Sequence, residues 1–231
     1  MKPVALSLFL LVFATQGGLS AAEALPDRPL AEKGEPLFSD DFERTDPGEW
    51  KAVVPSLAVG GGVLRVHQTR DDHGAVARVH RPMRDVIVSF RYRLDGSTGF
   101  NAVFDDKSHK GSHAGHICRV AFAPTQIRLG DDREGVMRND IFAMRKDPSR
   151  KAEADALLKG RGAAFPHKLD PAAWHQVVIE IVGDRMRVSV DGQSAGFLQS
   201  PGLAHETKGS FHFTVNGAGV LFDEVRVWAA R

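Results

Sequence analysis

DVIVSFRYRL, residues 85–94, alternates along its whole length. Val88, Phe90, Tyr92 and Leu94 fall on one face of an extended chain, and Ser89, Arg91 and Arg93 fall on the other. Successive side chains of a strand point to opposite sides, so this period of two reads as a strand with one apolar face. The same pattern recurs outward in both directions. Towards the N-terminus are LFSDDFER (37–44), VLRVHQT (63–69) after the glycine run at 60–62, and GAVARVH (74–80). Towards the C-terminus are GFNAVFDD (99–106), HICRVAF (116–122), and TQIRLGDD (125–132), which pairs in this reading with GVMRNDIF (135–142). WHQVVIEIVGD (174–184), RMRVSVDG (185–192), KGSFHFTVNG (208–217) and VLFDEVRVWAA (220–230) complete the set. Asp95-Gly96 and Asp191-Gly192 are turn signals between strands.

One segment departs from that period. Asp147-Pro148 is an N-cap followed by proline at the first helical position, and SRKAEADALLKG runs in helix formers to Gly160. The expectation is an all-β domain of roughly ten to thirteen strands. Two antiparallel sheets pack face to face in a jelly-roll sandwich, with one short helical insertion at about 147–160.

The ends and the composition add bounds. Met1-Lys2, the apolar run Val4 to Ala14 and the small residues Ser20-Ala21-Ala22 predict a secretory signal peptide over 1–22. No cysteine lies near the cleavage region, so no lipoprotein anchor is expected. The protein is then secreted or periplasmic, with no stable membrane insertion after cleavage. Residues 23–36 read as a linker or an N-terminal arm, and the jelly-roll domain occupies 37–231. About 210 residues can bury a core without staples. Cys118 is the single cysteine, which excludes an intramolecular disulfide, and its strand context predicts a buried, inert thiol. Formal net charge is +1, carried by Lys2, so the mature chain is neutral and nucleic acid is a poor partner.

Chemistry concentrates between residues 99 and 120. Asp105, Asp106, His109, His113 and His116 fall within twelve residues, and the chain has 10 histidines in all. Gly111 and Gly115 make the middle a loop. Such a loop can gather Asp105, His109 and His113 around a divalent metal. It can equally place Asp105, His109, His113 and His116 as catalytic acid/base groups, or simply cap a hairpin. If the aromatic strand faces point inward, Arg91, Arg93, Asn101, Arg119, His212 and Asn216 line the opposite faces. Planar donors, amides and carboxylates match vicinal hydroxyls, which makes these six the candidate sugar-positioning residues. An ordinary solvated sheet face would show the same alternation.

The order of motifs carries a resemblance. DDFE, a tryptophan and a glycine turn precede VLRV; VIVSFRYRL and GFNAVF follow; W-H-x-V-x-I-E-I-x-G-D, R-x-R-V-S-V-D-G and FDEVRVW close the chain. This series resembles the concanavalin A-like lectin/glucanase jelly rolls. Within them it is similar to the secreted bacterial 3-keto-disaccharide hydrolase domain. The likeness spans about Leu37 to Trp228. It implies an exported carbohydrate-active protein that hydrolyses or eliminates a glycosidic bond in a di- or oligosaccharide, oxidised sugars included. The residues alone leave open a non-catalytic carbohydrate-binding module or a laminin-G-like surface interaction domain. Two departures stand out. The E-x-D-x-x-E strand of laminarinase-type glucanases is absent, its nearest echo being Glu153-Ala-Asp155 in the helical segment. The acid and amide that the keto-disaccharide family shows two residues apart are replaced by Ile117 and Arg119. A pair of acids across a sugar ring would have to combine Asp105 or Asp106 with Glu180 or Asp191.

Overall fold

The computed structural model describes residues 25–231. The segment read as a signal peptide lies outside the described residues. Fifteen strands, numbered along the chain, form two antiparallel sheets. The first holds β1 (Lys33–Asp40), β3 (Leu57–Gly60), β4 (Val63–Val66), β6 (Val86–Leu94), β11 (His175–Val182), β12 (Arg185–Val190), β13 (Gln193–Gln199) and β15 (Val220–Ala230). Its order is β13-β12-β11-β6-β15-β4-β3, with β1 also pairing with β15. The second holds β2 (Lys51–Ala52), β5 (Ala75–Met83), β7 (Phe100–Asp105), β8 (His116–Ala123), β9 (Gln126–Asp131), β10 (Gly162–Pro166) and β14 (Lys208–Val215). Its order is β10-β9-β8-β7-β14-β5-β2.

The core lies where the apolar faces meet. Phe90 and Tyr92 of β6 and Phe222 of β15 face Phe100 of β7, Phe122 of β8 and Phe211 and Phe213 of β14, all buried. Phe213 stacks on Phe222 at 3.7 Å between ring centroids and on Trp50 at 5.7 Å. Trp50 donates its indole N–H to Asp40 Oδ2 at 2.9 Å. Asp40 also accepts the Phe42 amide and the Arg44 guanidinium, so DDFER and its following tryptophan are a corner of the core. Cys118 is buried in that core, and burial pushes its thiol up.

Three local expectations are corrected. Residues 135–142 are not the partner of β9. They lead into α1 (Asn139–Met144), whose Ile141 and Met144 lie one turn apart and pack on Ala154 of α2 (Lys151–Leu157). That period of three is helical, and the strand reading missed it. The partner of β9 is β10, in register from Gly162 opposite Gly130 to Pro166 opposite Gln126. The insertion therefore holds two short helices, the second entered through a turn that Asp147 caps. Finally, β1 begins at Lys33 rather than Leu37. The arm before it is fixed on the first sheet: Pro26 O accepts from Arg187 Nε and Ser194 Oγ, both at 3.0 Å, and the Leu30 amide donates to Glu180. Among the described residues no helix is long and apolar enough to cross a membrane.

Candidate functional site

The outer face of the second sheet carries a connected polar cluster. It is made by a break in strand pairing. Phe104 sits opposite Cys118 but Asp105 sits opposite His116, so Ile117 is an extra residue on β8. A bulge shifts the alternation by one and re-aims the following side chain. Cys118 and Ile117 are both fully buried, while His116 emerges beside Asp105. The freed Ile117 carbonyl accepts the amides of Asp132 and Arg133, which anchors the turn after β9.

Asp105 is the hub. Its Oδ1 accepts from His116 Nδ1 at 2.6 Å, and its Oδ2 accepts from Arg78 Nη2 at 2.8 Å. His212 Nδ1 lies 3.3 Å from the same Oδ2 and 3.4 Å from Arg78 Nη2. Register explains the convergence: on β14, His212 stands directly opposite Arg78 of β5. Burial alone would raise the Asp105 carboxyl. The His116 hydrogen bond, then the neighbouring His212, His116 and Arg78, outweigh it and hold Asp105 below the ordinary carboxylate range. His212 is pushed down to about 3, chiefly by burial, with Arg78, His116 and Arg119 opposing the pull of Asp105. His212 is therefore neutral at physiological pH.

Next along β8, Arg119 Nε donates to Asp132 Oδ2 at 2.6 Å. Asp132 is fully buried and burial drives its carboxyl up, against the pull of Arg119. Asp132 Oδ1, Arg119 Nη2 and Arg78 Nε are all buried with no protein partner. Arg119 and Asp132 open onto a cleft of about 360 Å³ between β8, β9, β10 and the helical insertion. Its floor is small, with Ala121, Gly130 and Gly162; Leu129, Val136 and Leu158 add apolar wall, and Arg128 and Arg161 stand at its sides.

The residues expected from sequence divide. Asp105, His116, Arg119 and His212 come together. Arg91 and Arg93 do not: β6 belongs to the first sheet, and they point outward there, with guanidinium carbons 5.3 and 5.4 Å from the Trp174 ring centroid. The expected single polar face is thus two faces on opposite sides of the sandwich. Asn101 shares the outer face of β7 with Asp105 but pairs with Thr214, at the other end of that strand. Asn216 is exposed beyond the end of β14. His109 packs edge-on against His205, whose Nε2 bonds Asp106 at 2.8 Å, and its own Nε2 is buried without a partner. His113 is exposed and stacks on Phe142 of α1 at 4.3 Å. The other acids weighed for a pair are also elsewhere: Glu180 is bound to Arg187 at 2.8 Å on the first sheet, and Asp191 holds His175 at 2.7 Å beside its turn.

The expected metal set Asp105, His109 and His113 is therefore not assembled. The set whose ligand atoms do lie within 4.8 Å of one another is Asp105, His116 and His212. Arg78 already presents a positive charge to both Asp105 Oδ2 and His212 Nδ1. A divalent ion bound there would meet that guanidinium at close range, so the cluster fits hydrogen-bonded acid/base work better. Incubation with EDTA is expected to leave the melting temperature unchanged; a fall of several degrees would make the cluster a metal centre.

Sequence reading missed Arg78, Asp132, Arg128 and Arg161. Asp131-Asp132 looked like a turn, and the arginines are single polar positions on ordinary alternating strands or beside them. No short-range signal marks them.

No protein-family model matches this sequence, and no curated protein matches it. Solved structures do match in shape. The laminarinase from Rhodothermus marinus superposes with a TM-score of 0.59 at 16% identity, covering 88% of this chain and 100% of that one. A non-specific endo-beta-1,3(4)-glucanase from family GH16 gives a TM-score of 0.57 at 12% identity over 90% and 94%. A sialidase gives 0.60 at 12% identity over 87% of this chain, which spans only 19% of the sialidase. At such identities the likeness concerns architecture, and it places the chain's fold among the concanavalin A-like jelly rolls.

Proposed function

We propose that this is an exported carbohydrate-active protein in which His116, oriented by Asp105, transfers a proton while a glycosidic bond in a di- or oligosaccharide is hydrolysed or eliminated. One observation carries the reading. His116 Nδ1 is held at 2.6 Å by a buried carboxylate, while its Nε2 has no partner among the described residues and the side chain retains access to solvent. A carboxylate on Nδ1 fixes that nitrogen as the donor and leaves Nε2 to accept a proton. Arg78 keeps Asp105 ionised for this task, and His212, neutral in its buried site, adds no charge. Asp105 and Asp132 sit in environments that move their carboxyls in opposite directions. The chain lacks the E-x-D-x-x-E strand of laminarinase-type glucanases; proton transfer by histidine takes the place of a two-carboxylate arrangement.

The test uses His116→Asn, whose amide still donates to Asp105 but transfers no proton. On a panel of di- and oligosaccharides, with their 3-keto forms included, turnover is expected to fall by about 10² to 10⁴-fold with an unchanged melting curve. Unchanged turnover in this variant would overturn the assignment. Saccharide binding by the wild type with no conversion of any of them would make the protein a binding module instead.

A further inference from the structure

We infer that the cleft lined by Arg119, Arg128 and Arg161 takes an anionic saccharide, one bearing a carboxylate or a sulfate ester, rather than a neutral one; this rests on the carbohydrate reading above. Three guanidinium groups surround about 360 Å³ of space: Arg119, Arg128 and Arg161. Two of them have only neutral internal partners. Arg128 donates only to the Gln126 amide oxygen, at 3.0 Å, and Arg161 only to the Ser200 hydroxyl, at 3.4 Å. Asp131, the other acid in the lining, is turned away: its oxygens accept from Ser200 Oγ, the Gly202 amide and the Glu134 amide. Arg119 is paired with Asp132 through Nε, but its Nη2 is buried and unpaired, as is Asp132 Oδ1. A buried donor left without a partner is unfavourable, and an incoming anion oxygen would satisfy it.

What the cleft lacks points the same way. Neutral sugars are commonly held by stacking on an aromatic ring, and no aromatic residue lines this space. Trp50 is buried in the core, Trp174 lies against Arg91 and Arg93 on the first sheet, and Trp228 lies under Lys33. Forked guanidinium groups matched to a planar or tetrahedral anion are the recognition chemistry present. The room itself depends on missing side chains. Gly130 and Gly162 pair across the floor, and a Cβ on Gly130 would meet only Arg119 Cγ at 3.7 Å, an ordinary contact. A large side chain there would fill the cleft and leave the sheet intact.

Calorimetric titration of the full mature chain with three probes tests this: a galacturonate trimer, the same trimer methyl-esterified, and a sulfated galactan trimer. The acid trimer or the sulfated trimer is expected to bind at least about tenfold more tightly than the ester, and which of the two does so identifies the anionic group. Arg128→Ala and Arg161→Ala should each weaken the charged probe by about tenfold and leave the ester unaffected. Gly130→Leu should abolish binding with an unchanged melting temperature. Equal binding of the acid, ester and sulfated forms would overturn the anionic inference and leave the carbohydrate reading standing. Binding of none of these, nor of any neutral oligosaccharide, by the folded protein would overturn both.

Discussion

Asp105→Ala is expected to melt roughly 10 °C below the wild type. The substitution removes the hub of a buried cluster and leaves the Arg78 guanidinium without its carboxylate and the His116 Nδ1 proton without an acceptor. Removing one partner of a buried ion pair costs about 3–5 kcal/mol, because the other charge stays behind unpaired. For a chain of this size each kcal/mol is worth about 2–4 °C. Asp105→Asn separates stability from chemistry. Its side-chain oxygen can still accept from His116, so the loss of stability is smaller, but the amide no longer holds one imidazole tautomer or balances the imidazolium. Turnover should then fall by as much as about 10⁴-fold. Circular dichroism melts of both variants, alongside rates on a converted saccharide, check the pair of expectations. A shift below about 2 °C for Asp105→Ala would mean that solvent screens the cluster.

The second large effect concerns acid. His212 is buried and neutral, with its pKa lowered from 6.5 to about 3. Between those values the unfolded chain takes up a proton at this position and the folded chain does not, so stability rises with pH across that window. The contribution is complete above about pH 6.5 and is lost as pH falls towards 3, at about 1.4 kcal/mol per unit. Going from neutral pH to about pH 5 should cost roughly 2 kcal/mol through this residue alone. His212→Gln, which has no titrating ring, should flatten the slope in urea unfolding over this range. Asp40 and Asp105 act in a lower window. Burial would raise each, but hydrogen bonds and neighbouring cations hold both below the usual carboxylate value of 3.8. Their stabilisation is present above that value and disappears as pH falls through their folded values. An unchanged slope between pH 6.5 and 5 in His212→Gln would show that His212 is protonated in the folded protein.

The fold was legible because burial imposes a period of two on every long strand. DVIVSFRYRL and KGSFHFTVNG declare their inner faces through Phe90, Tyr92, Phe211 and Phe213, and these residues do meet in the core. The insertion was half legible. Asp147 and Pro148 announce α2 by local hydrogen bonding, whereas α1 rests on two apolar residues whose spacing matters only once α2 is there to cover them. The site was legible by residue type and not by assembly. Asp105 and His116 stand near each other in sequence, so the hairpin was found. His212 arrives from a strand more than ninety residues away and Arg78 from the strand beyond it, and only register brings them in. Arg91 and Arg93 misled because alternation tells inside from outside and says nothing about which of two outsides a strand presents.

The extra residue at Ile117 has a meaning for descent as well as for geometry. Deleting it would restore even pairing through β8 with His116 still opposite Asp105, but would remove the carbonyl that holds the amides of Asp132 and Arg133. A single codon thus decides whether the turn that carries Asp132 is tied to β8. In comparing sequences of this kind, a gap opposite Ile117 would therefore mark a chain whose Asp132 turn is held in another way.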